Sequence, residues 1–476
     1  MKLKVFVLFA IFLGSIAFPA TAQQNSQNKK TAKYVFLFIG DGMGLAHISL
    51  TQAYLANKSG EIGMGALCMT EFPVVGLCNT SCSNKQTTCS AASGTALSTG
   101  SKTGFGIIGK TADKTKNLSS ITYSIKNAGC RVGLITTVSI NHATPAAFYA
   151  HSDKRSDYYS IGEQLCESNF DFFAGGGFYF NKGRDGLGAD LYDLATRQGY
   201  TIIRDSVDTK HFFSKSKTIL LNPVSLLESE MPLAIDRDEY GGYNLSNLVE
   251  AGIQTLTNDQ GFFIMVEGGL IDWAAHYKDA AAIVQEVLDF DKSIGVALDF
   301  YRKHPDETLI VVTADHETGG LSLGRSEFEY ETDFARIDEQ KNSASFVAPM
   351  LDTLIKNTAS FTEVQNLLLQ EFFADGFILS DAEIFELNYA YEYACGLFSL
   401  DVESERMLYG GNQPVAAAAA QIINKRSGIG FTSYYHTGIS VPVFAIGTGS
   451  ELFGTYLDNT DIPMIILDCM RIKKIE

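Results

Sequence analysis

The stretch YVFLFIGDGMG, residues 34–44, decides the fold class of this chain of 476 residues. Its first part, Tyr34–Ile39, is apolar throughout, which is typical of a strand buried on both faces of a parallel sheet. The glycines that follow allow a tight turn and the close approach of another group, and Asp41 stands among them. A carboxylate in this place could bind a metal ion, although an ordinary Gly-Asp-Gly turn is the simpler interpretation of this stretch alone.

Further apolar runs along the chain also look like buried strands. They are Arg131–Thr137, Phe170–Phe173, Phe262–Val266, Leu309–Thr313 and Val441–Ile446. Helix-like stretches, such as Ser119–Ala128 and Asp279–Tyr301, lie between several of these runs. The alternation predicts an α/β fold, a three-layer α/β/α sandwich with a largely parallel central sheet.

The segment 321–430 differs in character from the rest of the predicted catalytic domain, residues 34–476. It is acidic and helix-rich, and it carries aromatic clusters such as Phe328–Tyr330 and Asn388–Tyr393. We interpret it as an insertion packed on the main domain. The sequence leaves open whether it covers the site or forms an oligomer contact.

The N-terminus reads as a targeting segment rather than as part of the fold. A positively charged start, the apolar run Val5–Phe18 and the small residues Ala20–Ala22 predict a secretory signal peptide over residues 1–22. An uncleaved membrane anchor is the alternative, but the apolar run is short for a spanning helix. Residues 23–33 are polar, and we expect them to be disordered. An exported chain, periplasmic or secreted, with no membrane span after cleavage is therefore expected.

Charge and cysteine content narrow the classes of partner. The net charge of −17 argues against binding to nucleic acid polymers, because phosphate backbones require basic patches. The same charge means that any phosphate chemistry needs local positive charge, which bound metals could supply. Export permits disulfides among the eight cysteines, with Cys78 and Cys82 as candidates for one bridge. No cysteine pair has the spacing of a zinc ribbon.

Polar residues follow the carboxyl ends of several predicted strands. They are Asp41, His142, Thr144, Glu267, Asp315 and His316. In open α/β sheets ligands bind at this edge, so we expect these side chains to gather in one place.

The stretch TCSAASGTA, residues 88–96, predicts a helix that begins at Ser90. The amides and the dipole at a helix N-terminus favour an anion, which would lower the cost of forming a serine alkoxide. In isolation, a serine that caps a tightly packed helix is an equally good interpretation. A sulfatase-type role for Cys89 is disfavoured, because Ser93 stands where that signature requires arginine.

Two further segments carry residue types that suit zinc. Asp272 and His276 are four residues apart, so on a helix they share a face and could hold one ion, although an ion pair has the same spacing. His436, in a loop before the last predicted strand, could complete that set. The adjacent Asp315 and His316 could likewise bind zinc, or they could form a buried hydrogen bond with each other.

Taken together and in this order, these segments resemble the alkaline phosphatase family from about Tyr34 to Asp458. The motifs are GDGMG at 40–44, SAAS at 90–93, HATP at 142–145, EGGLID at 267–272, DHETGG at 315–320 and HTG at 436–438. The stretch DNTD at 458–461 is similar to the closing motif of the family. The combination is highly specific.

The resemblance implies an enzyme that hydrolyses phosphate monoesters through a phosphoserine on Ser90, with two zinc ions and one magnesium ion. By motif position, Asp272, His276 and His436 would hold the first zinc. Asp41, Asp315 and His316 would hold the second zinc, beside Ser90. Asp41, Thr144 and Glu267 would hold magnesium, with His142 where members carry Asp or His. Members often form homodimers, so a homodimer is expected by analogy.

Arg155 stands at the offset of the arginine that clamps phosphate in the family. A guanidinium is well shaped for two-point contact with phosphate, although Arg155 alone would be an ordinary surface charge. Many members carry Asp directly before the nucleophile, where this chain has Cys89. We therefore predict a looser Arg155 and weaker retention of phosphate.

Two other functions compete with this interpretation. One is a related hydrolase acting on phosphodiesters or sulfate esters, and the other is a metal-stabilised binding protein without catalysis. Arg155 and the complete third metal set favour monoesters, and the presence of Ser90 with every expected ligand favours an enzyme.

Overall fold

The structure, a computed structural model, describes residues 30–212 and 214–475. The predicted signal peptide and residues 23–29 lie outside this part of the chain. Residues 30–33, the end of the segment expected to be disordered, are held against the domain, since Ala32 is buried and donates its amide to the Cys469 carbonyl. In the described residues no helix is both long and apolar enough to cross a bilayer.

A ten-stranded sheet forms the centre of the molecule, in the order β14-β2-β13-β8-β1-β7-β3-β4-β6-β5. Its strands are β1 (Tyr34–Gly40), β2 (Val74–Asn79), β3 (Arg131–Thr136), β4 (Phe172–Gly175), β5 (Tyr200–Ile203), β6 (Lys217–Leu221), β7 (Phe262–Gly268), β8 (Thr308–Thr313), β13 (Val441–Gly447) and β14 (Tyr456–Asp458). Two small pairs join β9 (Glu317–Thr318) to β12 (His436–Thr437) and β10 (Leu321–Leu323) to β11 (Ile429–Phe431). Within the large sheet only β13 is antiparallel to its neighbours, so the predicted largely parallel sheet is confirmed.

Helices outside the segment 321–430 cover both faces of this sheet, and the described residues form sixteen α-helices in all. They are α1 (Leu45–Lys58), α2 (Ser90–Thr99), α3 (Ile121–Asn127), α4 (Ala143–Ala146), α5 (Tyr158–Glu167), α6 (Leu191–Arg197), α7 (Arg237–Tyr240), α8 (Leu245–Leu256), α9 (Leu270–His276), α10 (Ala280–Lys303), α11 (Ala344–Lys356), α12 (Phe361–Glu371), α13 (Asp381–Ala394), α14 (Val402–Leu408), α15 (Pro414–Ser427) and α16 (Asp461–Met470). Successive residues of β7 show the two layers, because side chains alternate across a strand. Phe262 packs on Phe300 of α10 with ring centres 5.4 Å apart, whereas Phe263 packs on Phe148 at 6.3 Å.

The register of the central strands brings chemical groups to one edge. β1 is buried along its whole length between β7 and β8, with Ile39 opposite both Glu267 and Thr313. Residues at and just beyond the ends of these three strands therefore share the carboxyl edge. Because β13 runs in the opposite direction, the loop that precedes it lies at this same edge. This is why His436 comes before its strand, whereas the other site residues follow theirs.

Strand boundaries differ from the predicted ones where side chains replace ladder bonds. The strand expected at Phe170–Phe173 is observed at Phe172–Gly175. The Asp171 carboxylate accepts the amide of Val132 at 2.9 Å, so regular pairing starts one residue later. Four strands of the large sheet were not predicted, namely β2, β5, β6 and β14. β2, β5 and β14 are short or partly exposed, and β6 is buried but contains an apolar run of only three residues, Ile219–Leu221.

The segment between β10 and β11 has an interior of its own. β10 and β11 pair antiparallel, Leu321 with Phe431, and so bring the two ends of the segment together. Helices α11 to α15 lie between them and enclose an apolar cluster that includes Val347, Leu368 and Ile423.

Neither Cys78 nor Cys82 forms a disulfide in the structure. The suggested bridge between Cys78 and Cys82 is therefore wrong. Cys78 is buried in β2, whereas the Cys82 thiol lies beyond that strand and contacts the Asn84 side chain at 3.3 Å.

Candidate active site

The carboxyl edge of the sheet gathers the residues singled out in the sequence. They are Ser90, Arg155, Asp41, His142, Thr144, Glu267, Asp272, His276, Asp315, His316 and His436. Their carboxylate and imidazole groups include three sets whose atoms lie within 4.8 Å of one another and could each hold a metal ion.

Ser90 is the first residue of α2 and is buried. The following residues of this helix are small, so α2 packs closely on α4 beneath the site. The Ser90 hydroxyl oxygen lies 3.4 Å from Nε2 of His316. This places an oxygen nucleophile at a helix N-terminus, where the helix dipole favours negative charge.

The first set consists of Asp272, His276 and His436. Asp272 and His276 lie on α9, with His276 Nε2 at 3.3 Å from Asp272 Oδ2. The pairing of β12 with β9 sets His436 opposite Thr318 and brings its Nε2 to 3.7 Å from Asp272 Oδ1. The two Nε2 atoms are 3.3 Å apart.

Backbone carbonyls fix the tautomers of these two histidines. Nδ1 of His276 lies 2.5 Å from the Tyr434 carbonyl, and Nδ1 of His436 lies 2.9 Å from the Thr88 carbonyl. A carbonyl can only accept a hydrogen bond, so each Nδ1 carries a proton and each Nε2 can present a lone pair. Two such lone pairs facing one carboxylate suit a borderline-soft cation.

The second set lies around His316 Nε2. Asp41 Oδ1 is 3.4 Å from this nitrogen and Asp315 Oδ2 is 3.3 Å from it. The other Asp315 oxygen accepts the amides of Gly42 and His316 at 3.2 and 2.9 Å, which fixes the carboxylate. The residues here whose ligand atoms all lie within 4.8 Å of one another are Asp41, Asp272 and His316. The expected ligand Asp315 is not in that set, although it contacts His316 Nε2.

The third set consists of Asp41, His142 and Glu267. Thr144 donates its hydroxyl to Asp41 Oδ2 at 3.5 Å. Glu267 Oε2 accepts a short hydrogen bond of 2.5 Å from Thr136 at the end of β3. All of these side chains are buried.

One oxygen or nitrogen in several of these groups is buried without a hydrogen-bond partner among the described residues. These atoms are Asp41 Oδ1, Asp315 Oδ2, Glu267 Oε1 and His142 Nδ1. A buried polar atom left unpaired costs about 1–3 kcal/mol, and more if it is charged. All four atoms belong to side chains described above for the second and third sets. These side chains therefore offer unpaired donor atoms that divalent ions could bind.

Crowding of carboxylates perturbs their ionisation strongly. Burial, together with the carboxylates of Asp315, Asp272 and Glu267, raises the pKa of Asp41 well above its usual range. Burial also raises the pKa of Glu267 and that of Asp315 to about 7. Metal-free, this site would therefore hold protons where a bound cation would otherwise balance the charge.

The surroundings raise the pKa of one site histidine and lower the pKa of two others. Burial would lower the pKa of His276, but the Asp272 carboxylate raises it to about 9. Burial and the Arg155 guanidinium lower the pKa of His142 to about 3. Burial and the neighbouring His436 lower the pKa of His316 well below its usual range. His142 and His316 are therefore neutral at physiological pH and available as ligands or acceptors.

Some contributing residues were missed in the sequence. Thr318 donates its hydroxyl to Asp272 Oδ1 at 2.5 Å and contacts Nδ1 of His316 at 3.3 Å. It lies in the quoted DHETGG motif, but the contact depends on the path of α9. Gly42 has φ +73°, and a Cβ there would lie 2.9 Å from Asp272 Oδ1, which explains the glycine.

Arg155 is half-buried and donates to Nε2 of His142 at 3.2 Å. The Cys89 thiol, which replaces the expected carboxylate, accepts the Gly106 amide at 3.2 Å instead. The Gly106 carbonyl in turn accepts the Arg155 amide at 2.8 Å. Cys89 is therefore linked to the Arg155 backbone through one residue, Gly106, while the Arg155 guanidinium is held by His142. Trp273 packs edge-on against His142, with ring centres 6.1 Å apart.

The fold and the site define a class of protein, a three-layer α/β protein with candidate metal sites beside a buried serine. The sequence profile of the alkaline phosphatase family matches residues 32–472. Alkaline phosphatase 4 of Bacillus subtilis is 31% identical over 95% of this chain and 92% of its own length. The chain therefore belongs to the alkaline phosphatase family and is a phosphoric monoester hydrolase.

Solved structures agree with this assignment. The cold-active alkaline phosphatase from Shewanella sp. is 30% identical, with a TM-score of 0.75, over 92% of this chain and 99% of that one. The alkaline phosphatase of Thermus thermophilus is 26% identical, with a TM-score of 0.78, over 96% of each chain.

The raised pKa of Glu267 leads to a stability prediction. Glu267→Gln should raise the unfolding temperature of the chelator-treated protein at pH 8, where ionising the buried carboxyl costs on the order of a few kcal/mol. Its folded pKa is about 7 against an ordinary 4.5, so the cost develops as pH rises between these values. At pH 4 the variant and the wild type should unfold together. The exposed Glu451→Gln serves as control, and a destabilised Glu267→Gln at pH 8 would contradict the prediction.

The environment of Cys89 leads to a second prediction. Cys89→Asp should place a carboxylate beside the segment that carries Arg155 and tighten competitive inhibition by inorganic phosphate about tenfold, or about 1.4 kcal/mol. Cys89→Ser, which adds no charge, should leave the inhibition constant near that of the wild type. Equal constants for all three proteins would show that residue 89 does not influence Arg155.

Proposed function

We propose that Ser90 attacks the phosphorus of a phosphate monoester, which breaks the phosphorus–oxygen bond to the alcohol and leaves a phosphoserine. Water then hydrolyses the phosphoserine, which releases inorganic phosphate and restores the Ser90 hydroxyl. The observation that carries this proposal is the position of the Ser90 hydroxyl. It lies at the start of α2, 3.4 Å from His316 Nε2, beside buried carboxylate atoms that have no protein partner. No other described serine combines these surroundings.

We further propose that the three sets bind divalent ions. Asp272, His276 and His436 would hold one zinc ion, and Asp41, Asp315 and His316 a second, because imidazole nitrogen with carboxylate oxygen suits zinc. Asp41, Thr144 and Glu267, with His142 adjacent, would hold magnesium, which prefers oxygen ligands. A related TAB5 alkaline phosphatase has magnesium at its M3 site in a variant in which one histidine is replaced by glutamate, whereas the third set of this chain contains His142. When bound, these ions supply the positive charge that favours ionised Ser90 and stabilises negative charge on the transferring phosphate.

Groups of the protein itself would stabilise the alkoxide, orient the carboxylates and bind the phosphate. The N-terminus of α2 favours the serine alkoxide, and Thr318 and Thr136 orient Asp272 and Glu267 by hydrogen bonds. Arg155 can leave His142 and bind two phosphate oxygens through its planar guanidinium. The buried floor excludes water from the carboxylates, which strengthens each of these interactions.

Export and assembly are part of the proposal as well. The sequence of residues 1–22 supports export to the periplasm or the medium. A homodimer is proposed by analogy with the family alone.

The proposed nucleophile is tested by a pair of serine variants in one helix. Ser90→Ala should lower turnover of an aryl phosphate by at least about a thousandfold, because the covalent route is lost. Its metal content should equal that of the wild type. Ser98→Ala is the matched control, since this buried serine of α2 donates only to backbone carbonyls away from the site.

Acid quenching with labelled substrate should trap phosphate on Ser90 in the wild type and in Ser98→Ala. Labelling of a different residue, or unchanged turnover in Ser90→Ala, would refute the role of Ser90. A faster reaction on the matching aryl phosphodiester would instead favour a diesterase.

A further inference from the structure

The end of α9 is supported by two asparagines that lie far away in the sequence. The last carbonyl groups of a helix lack partners within the helix, and α9 ends at His276. Asn412 donates its side-chain amide to the His276 carbonyl at 2.9 Å, and Asn424 donates to the Lys278 carbonyl at 2.7 Å. Both asparagines belong to the segment 321–430.

The imidazole of His276 is held by a second route. Its Nδ1 proton goes to the carbonyl of Tyr434, a residue only 3% exposed. The Tyr434 hydroxyl donates to the Leu408 carbonyl at 2.6 Å, and the Lys278 ammonium lies 3.6 Å from the ring centre. Tyr434 is thereby fixed at its backbone, its ring and its hydroxyl.

One loop of the segment 321–430, residues 408–412, takes part in both routes. Gly410 has φ +63°, and a Cβ there would lie 2.3 Å from Cγ of Tyr434, so the ring packs directly on the loop backbone. The Glu405 carboxylate accepts the Gly411 amide at 2.9 Å and holds the loop in shape. The loop therefore contacts the His276 carbonyl and also the residue that orients the His276 ring.

We propose that this segment orients His276 through the loop 408–412, and that Asn412 is a positioning residue for the ion held by Asp272, His276 and His436. The inference rests on the proposed function, because it requires an ion in that set. The direction of the His276 Nε2 lone pair depends on where the α9 terminus and the ring are held. Groups that orient a metal ligand in this way affect metal affinity by about 10–100-fold.

The amide of Asn412 serves the site rather than the interior of its own segment. The apolar cluster between α11 and α15 is built of hydrophobic side chains, whereas the Asn412 amide donates outside that cluster to the His276 carbonyl. Asn388 is an informative contrast in the same segment, because its amide donates to Glu392 of the same helix at 2.8 Å. Removal of either amide deletes one hydrogen bond, but only that of Asn412 ends at a proposed metal ligand.

The test compares zinc retention by the full-length wild type, Asn412→Ala and Asn388→Ala. Each protein is loaded with zinc and titrated with a chelator, and bound zinc is counted at each step. We expect one zinc of Asn412→Ala to leave at about tenfold lower chelator concentration than in the wild type, with the other unchanged. Asn388→Ala should follow the wild type. Tyr434→Phe, which removes only the bond to Leu408, should shift the same zinc in the same direction.

Unfolding of the metal-free proteins and kinetics add independent readouts. Metal-free Asn412→Ala and Asn388→Ala should unfold within a few degrees of each other. The kcat/KM of Asn412→Ala should fall more for an alkyl than for an aryl phosphate, because an alkoxide is the poorer leaving group and would depend more on an ion held by His276. Equal zinc release by Asn412→Ala and the wild type would overturn the inference alone, as would equal weakening of both zinc ions. A wild type that binds no zinc would overturn the proposed function, and the inference with it.

Discussion

Four carboxylates buried at one sheet edge are the constraint on which the rest of the site depends. Asp41, Glu267, Asp272 and Asp315 cannot all be ionised in a dry protein interior unless positive charge lies between them. Without ions, protons remain on some of them at neutral pH, as the raised pKa values of Asp41, Glu267 and Asp315 show. The folded chain therefore stores a free-energy cost that cation binding would relieve. The overall negative charge of the chain makes such local cations more necessary for an anionic substrate.

The sheet explains how so costly a cluster is built. Parallel pairing of β1 with β7 and β8 aligns three strand ends, and the reversed β13 adds the loop that carries His436. Buried aromatic and aliphatic side chains along β1 and β7 hold these strands against helices on both faces. Because these strands and the carboxylates at their ends are buried, close packing limits how far the carboxylates can move apart to lower their mutual repulsion. Close packing of the strands therefore keeps the four carboxylates near one another despite their mutual repulsion.

Much of this arrangement could be predicted from the sequence, because apolar runs and the residues after them are local signals. The run before Asp41 and those before Glu267 and Asp315 identify buried strands and one functional edge. Residues whose roles depend on distant contacts could not be found in this way. Thr318 acts on Asp272 through a fold-dependent contact, and Asn412 meets His276 across a separation of 136 residues. The contact of Arg155 with His142 was also not predicted. The sequence shows that residue 89 is not a carboxylate, but it does not show which other group holds the guanidinium.

The contact between Arg155 and His142 bears on how the enzyme recovers between cycles. The bond from the Arg155 guanidinium to the neutral His142 imidazole is a single charge-assisted hydrogen bond, whereas a carboxylate or a phosphate offers a guanidinium two such bonds and an opposite charge. A guanidinium held by imidazole can therefore be transferred to an incoming dianion at little cost and still returns to a defined resting place when the product departs. An arginine anchored by a carboxylate would stay in position whether or not phosphate is present. With Arg155 in its proposed phosphate-binding role, its bond to His142 rather than to a carboxylate would favour rapid release of the product over tight holding of phosphate.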